Sequence, residues 1–244
     1  MPIAVQLYSL RRELEQDFEG GIHRLAAMGY DGVETAGIYG ASPAAAAALF
    51  RKLGLRVAGA HLPLPLGDQR SEVLETAQAL GLSIAVCSWL PPEKFTTETG
   101  IREAADTLNE AAAVYQAHGL RFAYHNHGAE FQPLPDGRIP AFVMLPWLSD
   151  EVLFELDCYW AHLAGSDVPE VLARLGDRVP LLHIKDGPLV HGAPMVAAGD
   201  GAMNFPPILA ASRAEWLIVE LDECATDMFT AVERSLAYLR SLNA

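Results

Sequence analysis

"RFAYHNHGAEF", residues 121–131, follows a short apolar run with His125, His127 and Glu130 inside six positions. A strand that ends this way must offset its imidazoles and carboxylate with hydrogen bonds, a charge partner or a metal. Burial without such partners costs several kcal/mol. The pattern recurs along the chain. Apolar runs at "IAVQLY" (3–8), "GVET" (32–35), "RVAGAH" (56–61), "SIAVCSW" (83–89), "LFELD" (153–157), "PLLHIKD" (180–186) and "EWLIVELD" (215–222) join it to make eight. Most are brief and apolar at both alternate positions, as parallel strands covered on both faces are. Between them lie Ala-, Leu-, Glu- and Arg-rich helical stretches, two of them ending at Gly29 and Gly81, which suit C-terminal caps.

Eight βα units of about 30 residues each account for the 244 residues and predict a single (β/α)8 barrel domain over 1–244. A doubly wound sheet alternates too, but usually with fewer strands. The first turn, "YSLRRELE", also carries no glycine-rich phosphate loop.

The formal net charge of −14 has the wrong sign for holding nucleic acid or anionic lipid through general electrostatics. No apolar run approaches the roughly 18 residues that cross a bilayer, and the N-terminus lacks the pattern of a signal peptide. Cys87, Cys158 and Cys224 are far apart and odd in number, which argues against a disulfide framework and for a cytoplasmic setting. The expected partner is a small molecule, with no nucleic acid and no membrane; a homo-oligomer is compatible with the chain.

Active sites of such barrels sit at the C-terminal ends of the strands. Those ends read Tyr8, Glu34, His61, Trp89, His125 and His127 with Glu130, Asp157, His183 with Lys185 and Asp186, and Glu220 with Asp222. The strand starts carry few such groups, so the bias marks one face as chemical. Within this ring Glu130, Asp157, His183 and Glu220 form an oxygen-rich set with one nitrogen. That donor set suits Mn²⁺ first, with Mg²⁺, Co²⁺, Fe²⁺ or Zn²⁺ as alternatives.

"YHNHGAEF", "ELDCYWAHLAG", "LLHIKDG" and "WLIVELDE" together resemble the xylose isomerase-like TIM-barrel superfamily. The closer likeness is to its sugar phosphate isomerase/epimerase branch, akin to inosose dehydratases, hydroxypyruvate isomerases and ketose 3-epimerases. The resemblance runs from "VQLYSLR" and "GYDGVE" to the terminal "SLAYL". It implies one divalent metal held by Glu130, Asp157, His183 and Glu220. In the epimerase relatives the fifth-strand ligand sits at the strand end, where Tyr124 or His125 stands here. Glu130 would reach the metal from the loop, and His125 or His127 is the alternative to it.

The expected reaction is metal-dependent isomerisation or epimerisation of a small sugar, keto-sugar or polyol, phosphorylated or not. It proceeds by proton abstraction and an enediolate, with Glu130 and Glu220 exchanging the proton and Lys185 and His125 steadying charge. A dehydratase or lyase and a non-catalytic sugar-binding barrel are the rivals. Tyr8, Glu34, His61, His125, His127 and Trp160 are the expected substrate-binding residues. The glycine- and methionine-bearing segment 187–206 reads as a mobile cover whose glycines let backbone approach the site.

Overall fold

In the computed structural model, which describes residues 1–242, eight parallel strands alternate with helices. The strands are β1 (Ile3–Gln6), β2 (Gly32–Thr35), β3 (Arg56–Ala60), β4 (Ile84–Cys87), β5 (Arg121–His125), β6 (Val152–Asp157), β7 (Leu181–Ile184) and β8 (Trp216–Val219). Their order is β3-β2-β1-β8-β7-β6-β5-β4. The remaining seam is closed by a parallel bridge between His61 and Val86, with the Leu62 N–H donating to the Val86 carbonyl at 3.0 Å. The result is the (β/α)8 barrel expected from the alternation.

Helix boundaries follow local chemistry. Asp17, Ser42, Thr97, Asp167 and Asp227 each accept a backbone N–H from the first turn of the helix they precede, satisfying donors that the helix itself leaves open. Gly29 and Gly81 end their helices in the left-handed region, at φ 93° and 70°, where a Cβ is disfavoured. No helix among the described residues is long and apolar enough to cross a membrane.

The core has two parts. Outward-facing strand residues such as Val5, Val33, Phe122, Leu182 and Val219 pack against the helices. A smaller cluster of Ala4, Ala58, Ile84, Val86, Ala123, Leu181 and Ile218 fills the barrel interior. Because alternate residues on a strand share a face, a step of two from this apolar layer leads to Gln6, His125, His183 and Glu220. The same step from Leu153 reaches Glu155 and then Asp157. All six of these polar residues are buried.

The segment 187–206 departs from the expected mobile cover. The Asp186 carboxylate accepts the backbone N–H groups of Gly187, Gly199, Gly201 and Met203 at 2.8–3.1 Å. Met195, Ala197, Ala198 and Met203 are buried. Its glycines serve this anchorage rather than the site: a Cβ on Gly201 would lie 2.1 Å from Asp186 Oδ1, and one on Gly199 2.5 Å from the Tyr238 ring. The outer turn projects, with Val190 57% exposed, and residues 199–202 are exposed as well.

Candidate active site and metal centre

Four donors converge above the apolar interior. His125, Asp157, His183 and Glu220 each offer a ligand atom, and these atoms lie within 4.8 Å of one another. Local structure places them. Asp157 ends β6 and caps the helix Cys158–Leu163, its Oδ1 accepting the Trp160 N–H at 2.9 Å. Its Oδ2 is buried and accepts no hydrogen bond, with the Lys185 ammonium facing it at 3.1 Å. A buried carboxylate oxygen with that open capacity, beside two imidazoles and a second carboxylate, suits a divalent cation.

Each imidazole has one nitrogen on this side and the other on a deeper carboxylate. His183 Nδ1 is 2.8 Å from Glu220 Oε2, while its Nε2 is 2.8 Å from Glu34 Oε2 and 3.1 Å from Glu155 Oε2. His125 Nε2 faces Asp157 Oδ2 at 3.8 Å, and its Nδ1 stands 3.0 Å from Glu155 Oε2, off the hydrogen-bond line. Carboxylates behind ligand imidazoles orient the rings and raise their basicity. Glu34 is steadied in turn by the Gln6 amide N–H at 2.8 Å, and His61 Nε2 meets Glu155 Oε2 at 2.7 Å. His61, His125, Glu155 and His183 form a second group of mutually close donors.

The Lys185 ammonium sits against the oxygens of the first set, 3.1 Å from Asp157 Oδ2, 2.7 Å from Glu220 Oε2 and 3.0 Å from Asp222 Oδ1. Burial alone would lower its pKa, but those three carboxylates hold it well above the ordinary value, so it stays charged. Burial would raise Glu220, yet Lys185 and His183 pull it well below the usual carboxylate range. Burial pushes Asp157 up to about 6 against the pull of Lys185. Burial and then Glu155 push Glu34 up to about 7. His127 goes the other way, lowered to about 4 by burial and by Lys185, which leaves a neutral ring at pH 7.

His125, Glu220 and Lys185 of this centre line a cavity of about 750 Å³. A model of the xylose isomerase-like TIM barrel matches residues 22–242. The chain belongs to that family. It is 24% identical to the inosose dehydratase of Geobacillus kaustophilus over 83% of this chain and 79% of that one. Two crystal structures of sugar phosphate isomerase/epimerases from Parabacteroides distasonis are also similar. One superimposes with a TM-score of 0.84 at 28% identity, covering 98% of this chain and 93% of the other. The second gives 0.81 at 25%, covering 98% and 97%.

Within this family barrel, Asp157, His183 and Glu220 lie together, and the fourth donor beside them is His125. Glu130, the fourth residue expected from the sequence, stands outside this cluster. It lies on the turn Ala129–Phe131, where one oxygen accepts the Tyr124 hydroxyl and the other the His127 N–H at 3.0 Å. Both oxygens are thereby committed to holding the β5 loop.

Tyr8, His61, His125 and His127 line the cavity with Lys185 and Glu220. Glu34 is fully buried below them. Trp160 stands to one side, its ring 6.2 Å from that of His127. Lys185 pairs with Asp157, Glu220 and Asp222. Glu155 and Gln6 escaped sequence reasoning. The available signal was phase: Glu155 precedes Asp157 by two on the same strand, and Gln6 follows the interior residue Ala4 by two.

Proposed function

We propose that the chain is a divalent-metal-dependent isomerase or epimerase of a small sugar or keto-sugar. The observation that carries this reading is the convergence of His125, Asp157, His183 and Glu220 beside a buried ammonium on the floor of the cavity. Those four residues would hold the ion, with Mn²⁺ the first candidate; when bound, it polarises adjacent carbonyl and hydroxyl oxygens of the substrate. The Glu220 carboxylate accepts the proton from the carbon next to the carbonyl. The Lys185 ammonium, 2.7 Å from Glu220, stabilises the negative charge that then gathers on the enediolate oxygen. Neutral His127 and the Asp222 carboxylate, both on the cavity wall, hydrogen-bond substrate hydroxyls. Glu130 keeps a positioning role through Tyr124 and the His127 backbone. Return of the proton to the neighbouring carbon completes an isomerisation.

Expulsion of a hydroxyl from the next carbon would instead make a dehydratase. Similarity to an inosose dehydratase supports that second reading. Both share the first step, which can be measured as solvent deuterium entering an accepted keto-sugar with saturating Mn²⁺. Glu220→Gln is expected to lower exchange by about 10²–10⁴-fold, the usual contribution of a general base. Exchange at the wild-type rate in the metal-loaded variant would remove Glu220 from the role. No exchange by the metal-loaded wild type on any keto-sugar would overturn the enzyme reading.

A further inference from the structure

The outer part of the cavity has a chemistry of its own. Above the charged floor, its wall on the β1, β3 and β4 side includes Tyr8, Leu62, Pro63, Leu64 and Trp89, with Gln69 and Ser88 as the polar members. Trp89 and Tyr8 are 55% and 40% exposed, two of the four large hydrophobic residues left so open among those described. The other two, Met1 and Val190, do not line this cavity. Aromatic and aliphatic groups gathered at the mouth of a polar site mark a place for an apolar part of a ligand. The volume of about 750 Å³ exceeds what a lone hexose fills.

The same cavity offers little positive charge to hold a phosphate. Lys185 is the single lysine or arginine on its wall among the described residues, and it is neutralised by Asp157, Glu220 and Asp222. Arg11, stacked 4.2 Å over the Tyr8 ring, donates to the carbonyls of Tyr8 and Asp222 and to the Glu223 carboxylate. Barrels commonly bind phosphate through loop and helix N–H groups after strands 7 and 8. After β7 those donors are already taken, because the Asp186 carboxylate accepts from Gly187, Gly199, Gly201 and Met203. An internal anion fills the place a substrate anion would need.

We infer that the substrate is an unphosphorylated sugar that carries a ring ketone and an apolar or aromatic substituent, a keto-glycoside whose aglycone lies against Trp89, Tyr8 and Leu62–Leu64. Plain glucosides are its unreactive binding analogues. This deepens the sugar reading above and rests on it. The sugar ring meets Glu220, Lys185 and the histidines, and the substituent lies outward, where it displaces water from Trp89.

The test is equilibrium binding to the Mn²⁺-loaded protein of methyl and phenyl glucosides in both anomers, glucose and glucose 6-phosphate. Burying one aromatic ring corresponds to a gain of about 10–100-fold, so a phenyl glucoside should bind at least about tenfold tighter than its methyl counterpart. Trp89→Ala should reduce that preference to within about threefold, and Trp89→Phe should retain most of it. Glucose 6-phosphate should bind no tighter than glucose. Equal affinity for methyl and phenyl glucosides, or tighter binding of the phosphate, overturns the inference while leaving the sugar reading intact. Binding of none of these sugars, together with no deuterium exchange on keto-sugars, overturns both.

Discussion

The two halves of the barrel mouth face one cavity and are made of opposite materials. On the β5–β8 side stand His125, Asp157, His183, Lys185 and Glu220, nearly all buried and tied to one another. On the β1–β4 side, the outer wall is dominated by Tyr8, Leu62, Pro63, Leu64 and Trp89, set beyond the strand ends, Tyr8 on the short helical turn Leu7–Leu10 and the others on loops. A buried charge needs partners on every side. It therefore sits on adjacent strands whose register brings the partners level, as Asp157 lies beside His183 and His183 beside Ile218, two residues before Glu220. Apolar side chains carry no such obligation and can ride on loops. The half proposed to perform chemistry is thus locked into the sheet, and the half that would read the substrate is free to vary without disturbing it.

Breaking an anchor of the charged half without touching its chemistry gives the largest expected effect on stability. Asp186 adjoins Lys185 in sequence, but it points outward and holds four loop N–H groups. Asp186→Asn turns an amide N–H toward some of these donors, at a cost of about 2–4 kcal/mol in urea unfolding. Mn²⁺ affinity should stay within about threefold. A large loss of metal affinity with stability intact would tie this loop to the charged half after all.

A smaller effect should come from the layer beneath the donors. Glu155→Gln removes the carboxylate behind His125 and His183, and outer partners of this kind are worth about 10–100-fold in metal affinity. Calorimetric titration with Mn²⁺ measures it. Unchanged affinity would mean that the rings are oriented by packing alone, and the contrast between the two halves would lose its explanation.

The smallest expected effect is a pH dependence. Glu34 has its pKa raised to about 7 when folded, through burial and Glu155, against about 4.3 in an unfolded chain. Between those values the folded protein binds more protons than the unfolded one. The contribution of Glu34 to stability therefore declines as pH rises from about 5 to 8. Glu34→Gln, which has no proton to lose, should gain on the wild type over that interval by about 1–3 kcal/mol in metal-free protein. Urea unfolding at pH 5 and 8 in chelator checks the sign. A gap that closes with rising pH would mean that Glu34 stays ionised at the lower pH.

Much of this was legible in the residues themselves. Parallel strands buried on both faces leave near-continuous apolar runs, and "IAVQ", "RFAYH" and "LFELD" are such runs. Glycine caps at 29 and 81 and side-chain caps such as Thr97 need only local sequence. Polar residues at strand ends marked the chemical face, and Asp157, His183 and Glu220 could be read from it. The apolar runs extend past the strands themselves: Tyr8, Trp89, Lys185 and Glu220 lie beyond the last strand residues.

Chain order by itself therefore determined the barrel, the face that carries its site and three of the four converging donors, because alternation, capping and strand polarity are properties of neighbours. Tertiary structure decided the fourth. Glu130 and His125 are five residues apart and equally eligible on paper, yet Tyr124 and the His127 N–H take the oxygens of Glu130, while β6 and β7 stand beside His125. Tertiary structure also gave Glu155 its place behind two imidazoles and turned Asp186 from the site to the loop. Each of these outcomes depends on which hydrogen-bond partners from distant strands come level in the closed sheet, and register across a barrel is not written within any one segment.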